Sequence, residues 1–251
     1  LLEIQKIREP EIQIVSNLSF LPVNENNLVY KAARLLQEEF ALTDGISVKL
    51  TKRIPVAAGM AGGSTDAAAM LYAMNQLYDL GLSRRELMKR GVQIGADVPY
   101  CLMRGTALAE GIGEKLTQLP PMIKCPVLIA KPSISVSTKF VYQNLKLDEQ
   151  TNHPDIDALM KDIREKDFDG VCAHMGNVLE SVTIPNYPVI AEIKQQMMRS
   201  GAKASMMSGS GPTVFGLFED GETAKRALRE MKRSGLAKQV YLTTIYNNRR
   251  K

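Results

Sequence analysis

The stretch Pro55-Val56-Ala57-Ala58-Gly59-Met60-Ala61-Gly62-Gly63-Ser64-Thr65-Asp66 constrains this chain more than any other. Before it, Ile46, Val48 and Leu50 alternate with Ser47 and Lys49, the pattern of a half-buried strand. After it, Ala67-Ala68-Ala69-Met70-Leu71 is a strong helix former that reads as helix from about Ser64 to about Tyr78. Gly59, Gly62 and Gly63 have no side chain, so the backbone between strand and helix can approach an anion closely. The helix start offers unpaired N–H groups and the positive end of a dipole, and Ser64 and Thr65 add hydroxyl donors. Together these features predict an anion cradle of a size suited to a triphosphate.

Three other readings of the stretch compete. A Walker loop needs Gly-Lys-Ser/Thr after its glycines, and no lysine follows here. A dinucleotide fingerprint needs G-x-G-x-x-G and an acidic residue on the next strand; Gly59-Met60-Ala61-Gly62 has the wrong spacing and Asp79 falls in a turn. The third reading is a glycine turn that only lets the helix pack. The preceding strand, the paired hydroxyls and the small-residue helix start favour the cradle.

The rest of the chain narrows the class. With 251 residues, 45% of them hydrophobic, it can bury one sizeable core or two modest ones. The charged fraction of 24% is ordinary for a globular protein. No apolar run approaches bilayer-spanning length; the longest, such as Pro126 to Ala130, is strand-sized. Leu1 to Pro10 is charged and alternating, unlike a signal peptide. Cys101, Cys125 and Cys172 lie far apart without Cys-x-x-Cys spacing, which predicts reduced thiols in a cytoplasmic setting and no disulfide framework. His153 and His174 lack ligand spacing, so no protein metal site is expected. The net charge of +5 is dispersed except for the Arg249-Arg250-Lys251 tail, read as a solvated end. With no basic stripe interleaved with aromatics, nucleic acid is not an expected partner.

Periodicity and turn chemistry give an α+β reading. Glu3 to Ile14 alternates as a strand with a turn at Pro10, and Asn26-Asn27 opens a helix reaching Phe40. Ser83-Arg84-Arg85-Glu86 is a capping box whose helix should end near Gly95. Asp97 to Met103, Thr106 to Glu110 and Lys124 to Ala130 read as strands, with Gly111 and Gly113 turning between two of them. Helices are then expected over Ser137 to Leu145, Asp155 to Glu165, Val171 to Leu179 and Pro188 to Ser200. Met206 to Phe218 reads as two strands around a glycine turn, Glu222 to Arg233 as a helix capped by Asp220, and Gln239 to Ile245 as a last strand. The polar stretch Asn144 to Pro154 suggests a division into residues 1–148 and 149–251.

The stretch from Pro55 through Ala68 closely resembles the phosphate-binding motif of the GHMP kinases, a superfamily that includes galactokinase, homoserine kinase and mevalonate kinase; Met60 replaces a frequent leucine. Gly95-Ala96-Asp97-Val98-Pro99, Gly105-Thr106-Ala107 and Ala109-Glu110-Gly111-Ile112-Gly113-Glu114 resemble the superfamily's erythritol branch, which belongs to the non-mevalonate isoprenoid route. The resemblance implies a two-domain GHMP architecture: a ribosomal protein S5 domain 2-like N-terminal domain holding ATP, a ferredoxin-like C-terminal domain, and a site in the cleft between them. It implies ATP with Mg²⁺, and a small-molecule substrate, a cytidine-diphosphate-linked methylerythritol.

By that resemblance Asp97 acts on the substrate hydroxyl; an aspartate in an arbitrary turn is more often a helix cap. Met207-Ser208-Gly209-Ser210-Gly211-Pro212-Thr213 matches a glycine turn that faces nucleotide and substrate, here expected to support rather than react; a plain hairpin is the alternative. Lys131 to Thr138 resembles the segment bordering the cytidine site, and Tyr142 falls where an aromatic stacks on the base, unless it is a core tyrosine. Asn27-Leu28 and Lys52 resemble positions near the adenine pocket, against a helix start and a solvated lysine. Ser64 or Thr65 is the expected neighbour of Mg²⁺. The family's opening Lys-Ile-Asn-like strand and Pro-Asp-Gly-Tyr-His-like segment have no counterpart here, and the first residue is Leu1. The expectation is a chain that begins inside a longer gene product and turns over poorly by itself. The alternatives are another kinase of the superfamily, of mevalonate or homoserine type, and a non-catalytic nucleotide-binding protein.

Overall fold

The computed structural model describes residues 1–147 and 153–247. The Arg249-Arg250-Lys251 tail and positions 148–152 of the polar stretch lie outside the described residues. The chain forms two compact units, one of Leu1–Val56 and Ala61–Gln118, the other of Ala57–Met60 and Leu119–Lys251.

In the first unit β1 (Leu2–Ile7), β2 (Ile12–Ser16) and β3 (Gly45–Leu50) form a sheet in the order β1-β3-β2. The opening segment does turn near Pro10, but its two arms do not pair with each other. β3 lies between them, antiparallel to β1 and parallel to β2. Its Ile46, Val48 and Leu50 are buried, as their alternation predicts. Against the sheet side of this core stand α1 (Leu28–Glu39) and α2 (Gly62–Leu77). α1 buries Val29, Ala32, Ala33 and Leu36, spaced i, i+3, i+4 and i+7 along one stripe. α2 begins two residues earlier than its alanine run suggests, and buries Ala67, Ala68, Met70, Leu71 and Met74 against α1. Truncating a side chain as buried as Leu36 or Leu71 to alanine removes about 2–5 kcal/mol. Ser83 and Glu86 form the expected capping box of α3 (Arg84–Ile94).

Two elements here depart from the sequence reading. Asp97 to Met103 is not a strand: Val98–Met103 is a short helix, α4. Val98, Tyr100 and Cys101 favour strands intrinsically, but Pro99 fits a first helical turn and Val98, Pro99 and Leu102 are buried from helical spacing. The partner of β4 (Ala107–Glu110) across the Gly111–Gly113 turn is β5 (Lys115–Gln118), not the later segment at 124–130.

That later segment is β6 (Pro126–Lys131), at the heart of the second unit's sheet. With β7 (Ala204–Met207), β8 (Val214–Leu217) and β9 (Gln239–Thr244) it gives the order β7-β8-β6-β9, every pair antiparallel. α9 (Val189–Arg199) and α10 (Gly221–Ser234) cover this sheet. Four strands, with helices after the first and after the third and the first strand inside the sheet, make the split β-α-β-β-α-β arrangement of ferredoxin-like folds. Because β6 pairs with β8 and β9, the units divide at Gln118/Leu119, ahead of the polar stretch around 148. α5 (Thr138–Asn144) and α6 (Ile156–Glu165) form where expected. The helix expected over Val171 to Leu179 is instead α7 (Phe168–His174) and, after a break at Met175–Leu179, α8 (Glu180–Asn186).

Candidate active site

The glycine-rich loop has an alternating backbone. Ala57, Gly59 and Ala61 have φ of 50°, 66° and 47°, while Ala58 and Met60 do not have positive φ. Alternation of this kind turns successive N–H groups toward one side and makes an anion-binding concavity. α2 continues it: Thr65 N–H donates to Ala61 O at 2.8 Å, so the N–H groups of Gly62, Gly63 and Ser64 precede the first bond within the helix. Two alanines hold a conformation that L-residues adopt at roughly 1–2 kcal/mol each, the kind of strain that collects at binding loops. The residues present therefore fit a polyphosphate. Thr65 Oγ1 donates to Ala61 O at 2.9 Å, whereas Ser64 Oγ has no protein hydrogen bond among the described residues.

In the first unit, Lys52 and Asp66 form an ion pair beside the start of α2. The Lys52 side chain is 5% exposed, which excludes the solvated-lysine reading. A Cβ on Gly62 would stand 2.9 Å from Ile54 Cγ2 and 3.1 Å from Lys52 Nζ, and one on Gly63 would stand 3.3 Å from Leu28 Cδ1. The structure thus gathers Leu28, Lys52 and Asp66 at the two glycines. Asn27 serves as the helix start: its Oδ1 accepts from Val29 N at 2.9 Å and its Nδ2 donates to Pro22 O. Pro55 and Val56 lead into the loop half-buried, and Ala58 is buried.

Asp97 is exposed at the head of α4 and makes no side-chain capping bond. Asp97 thus holds the N-cap position of α4 without a side-chain bond to it. One turn on, Cys101 N–H donates to Asp97 O, and Cys101 Sγ lies 3.4 Å from Thr65 Oγ1. Burial above all pushes the Cys101 thiol up from its ordinary value; the Thr65 hydrogen bond opposes this, and the charges of Asp97 and Asp66 add to it. A neutral thiol therefore bridges the loop helix and the Asp97 helix. Nothing in the spacing of Cys101 signalled this, since Thr65 is 36 residues away.

In the second unit, residues 57–60 of the loop meet the other glycine turn. Ser208 Oγ donates to Gly59 O at 2.8 Å, and a Cβ on Gly59 would fall 2.3 Å from Ser208 O. The Gly209–Gly211 turn is thus more than a hairpin link. Ser210 is buried, with its hydroxyl 2.8 Å from that of Thr138. Tyr142 is 61% exposed while its neighbour Val141 is fully buried, which excludes the core-tyrosine reading. Three residues that the sequence reading passed over organise this turn: Asn177, Glu180 and Thr183. Gly176-Asn177 is a turn signal, masked by the helical spacing around it.

Comparison with known proteins fits this geometry. Residues 27–105 match the GHMP kinases N terminal domain and residues 159–237 the GHMP kinases C terminal domain. A 4-diphosphocytidyl-2-C-methyl-D-erythritol kinase of Lachnospira eligens is 58% identical, the alignment covering 96% of this chain and 84% of that protein. The chain belongs to the GHMP kinase family. The kinase of the same name from Lachnoclostridium phytofermentans is 53% identical over 98% of this chain and 84% of its own length. A solved 4-(cytidine 5'-diphospho)-2C-methyl-D-erythritol kinase superposes with a TM-score of 0.80 at 28% identity, over 97% of this chain and 84% of that one. A homoserine kinase from Cytophaga hutchinsonii superposes at 0.84 with 21% identity, covering 98% and 85%, a likeness of fold. As a GHMP kinase, the chain is an α+β enzyme of two domains that acts on a small molecule. Among the described residues no helix is long and apolar enough to cross a membrane.

Proposed function

We propose that this protein transfers the γ-phosphoryl group of ATP to a hydroxyl of 4-diphosphocytidyl-2-C-methyl-D-erythritol, in the cytoplasm. The observation that carries the reading is Asp97: an uncapped carboxylate at the head of α4, inside the Gly95–Pro99 motif. The high identity to kinases named for that substrate supports the choice of acceptor.

Phosphoryl transfer asks a protein for alignment and charge stabilisation more than for covalent chemistry. The N–H array of residues 57–64 holds the triphosphate, and the dipole of α2 favours its charge. Asn27, Leu28 and Lys52 border the nucleotide. Asp97 orients the acceptor hydroxyl and takes its proton. Thr138, Tyr142 and the Gly209-Ser210-Gly211 turn form the cytidine side, with the exposed ring of Tyr142 stacking on the base. Mg²⁺, when bound with the nucleotide, offsets phosphate charge. Ser64 or Thr65 would offer it the nearest hydroxyl oxygen; the donation of Thr65 Oγ1 to Ala61 O leaves that oxygen's lone pairs free.

A phosphotransfer assay of the complete gene product against a panel of acceptors tests this reading. The cytidine-diphosphate-linked methylerythritol is expected to turn over fastest; faster turnover of mevalonate or homoserine overturns the assignment.

A further inference from the structure

Asn177 sits in the break between α7 and α8, and its side chain is used from both ends. Nδ2 donates to Met207 O and to Gly209 O, each at 2.8 Å, and Oδ1 accepts from Leu179 N at 3.0 Å. The two carbonyls it holds flank Ser208. Further bonds fix the same turn: Glu180 Oε1 accepts from Met207 N at 2.8 Å, and Gly211 N–H donates to Ser208 O at 3.0 Å. Ser208 in turn donates its hydroxyl to Gly59 O. In a trans peptide C=O and N–H point opposite ways, so a carbonyl of Gly59 held toward Ser208 sends the N–H of Met60 away from it. Met60 N–H is one of the donors of the alternating loop.

We propose that Asn177 is a positioning residue for the nucleotide loop, acting through Ser208 on the Gly59–Met60 peptide. The proposal rests on the reading of that loop as the ATP cradle. Asn177 touches no reacting group; its part is to keep Ser208 where one hydroxyl sets the direction of a phosphate donor. A purely local role is the alternative, in which Asn177 only forms the turn into α8 through Oδ1. Serine separates the two, because its hydroxyl still accepts from the N–H two residues on but reaches neither carbonyl.

The test compares N177S, S208A and their double variant in the complete gene product, by calorimetry with ATP and by the backbone amide resonance of Met60. N177S is expected to weaken ATP binding about tenfold, the scale of one misdirected donor, and to lower the melting temperature by a few degrees as Met207 O and Gly209 O lose their donor. S208A is expected to match it, and the double variant to be no weaker than either single one. N177S that binds ATP as the wild type does, or losses that add in full, would overturn the proposal. If the wild type itself binds no ATP, the proposed function fails, and Met60 still decides: the same displacement of its resonance in N177S and S208A supports the link, and an unmoved resonance in N177S refutes it.

Discussion

Lys52 and Asp66 face each other across the start of α2 with both side chains withdrawn from water, 5% and 15% exposed. Each charge is compensated by the other, so losing one leaves a buried charge alone. Asp66→Ala is expected to destabilise the protein by about 3–5 kcal/mol. Adding Lys52→Met removes the stranded ammonium and is expected to recover most of that loss. Urea unfolding of the two variants checks the sign; a double variant no more stable than Asp66→Ala refutes the account.

The two adjacent glycines should behave differently. A methyl on Gly62 enters Ile54 and the end of Lys52, whereas one on Gly63 meets only Leu28. Gly62→Ala is expected to lose about 1–3 kcal/mol through overpacking. Gly63→Ala gains helix propensity worth up to about 1 kcal/mol and is expected to keep or raise stability. Gly63→Val is therefore the cleaner probe of the cradle, expected to weaken ATP binding while the melting curve stays near wild type. Calorimetry beside thermal melting distinguishes the outcomes.

Asp97→Asn in the complete gene product should leave stability within about 0.5 kcal/mol, because no capping bond is lost. Its kcat should fall about a hundredfold to ten-thousandfold if the carboxylate takes the proton. Retention of near wild-type kcat with ATP binding intact would remove Asp97 from the chemistry.

His174 Nδ1 lies 2.6 Å from Asp162 Oδ2. That hydrogen bond is the main cause that raises the imidazole above its ordinary value of 6.5, with smaller help from the charges of Asp162 and Asp155 and from the Gly170 backbone, against desolvation. A histidine raised on folding contributes stability below its unfolded value and loses it as pH climbs through the folded one. The stability gap between wild type and His174→Gln should therefore be widest below pH 6.5 and shrink in mildly alkaline buffer. A gap that widens with pH would overturn this.

Where chemistry was local, the sequence was readable. Asn27, Ser83 and Asp220 cap the helices their positions announce, and the stretch from Pro55 to Asp66 leads from a strand into the first turn of a helix, as its residues demand. Propensity misled where tertiary packing decided: β-favouring Val98, Tyr100 and Cys101 are drawn into α4 by the burial of Val98 and Leu102. β5 escaped notice because of its four residues only Leu116 is withdrawn among exposed neighbours. The links that shape the site were out of reach altogether. Ser208 is 149 residues from Gly59 and Asn177 is 32 from Gly209, distances over which periodicity carries no signal.

The position of β6 also sets an order of events at the ribosome. The strands that flank it, β8 and β9, follow it by more than eighty residues, so the second sheet stays open until most of the chain has emerged. The first unit has its sheet and helices by Gln118 and is free to close early, in keeping with the N-terminal-first habit of nascent chains. Residues 57–60 belong to the unit that closes late, and Ser208 precedes β8 by only a few positions. The nucleotide loop is thus synthesised early and shaped late: a nascent chain can form α2 before Gly59 has its hydroxyl partner, and the cradle is finished only once Ser208, 149 residues on, has emerged.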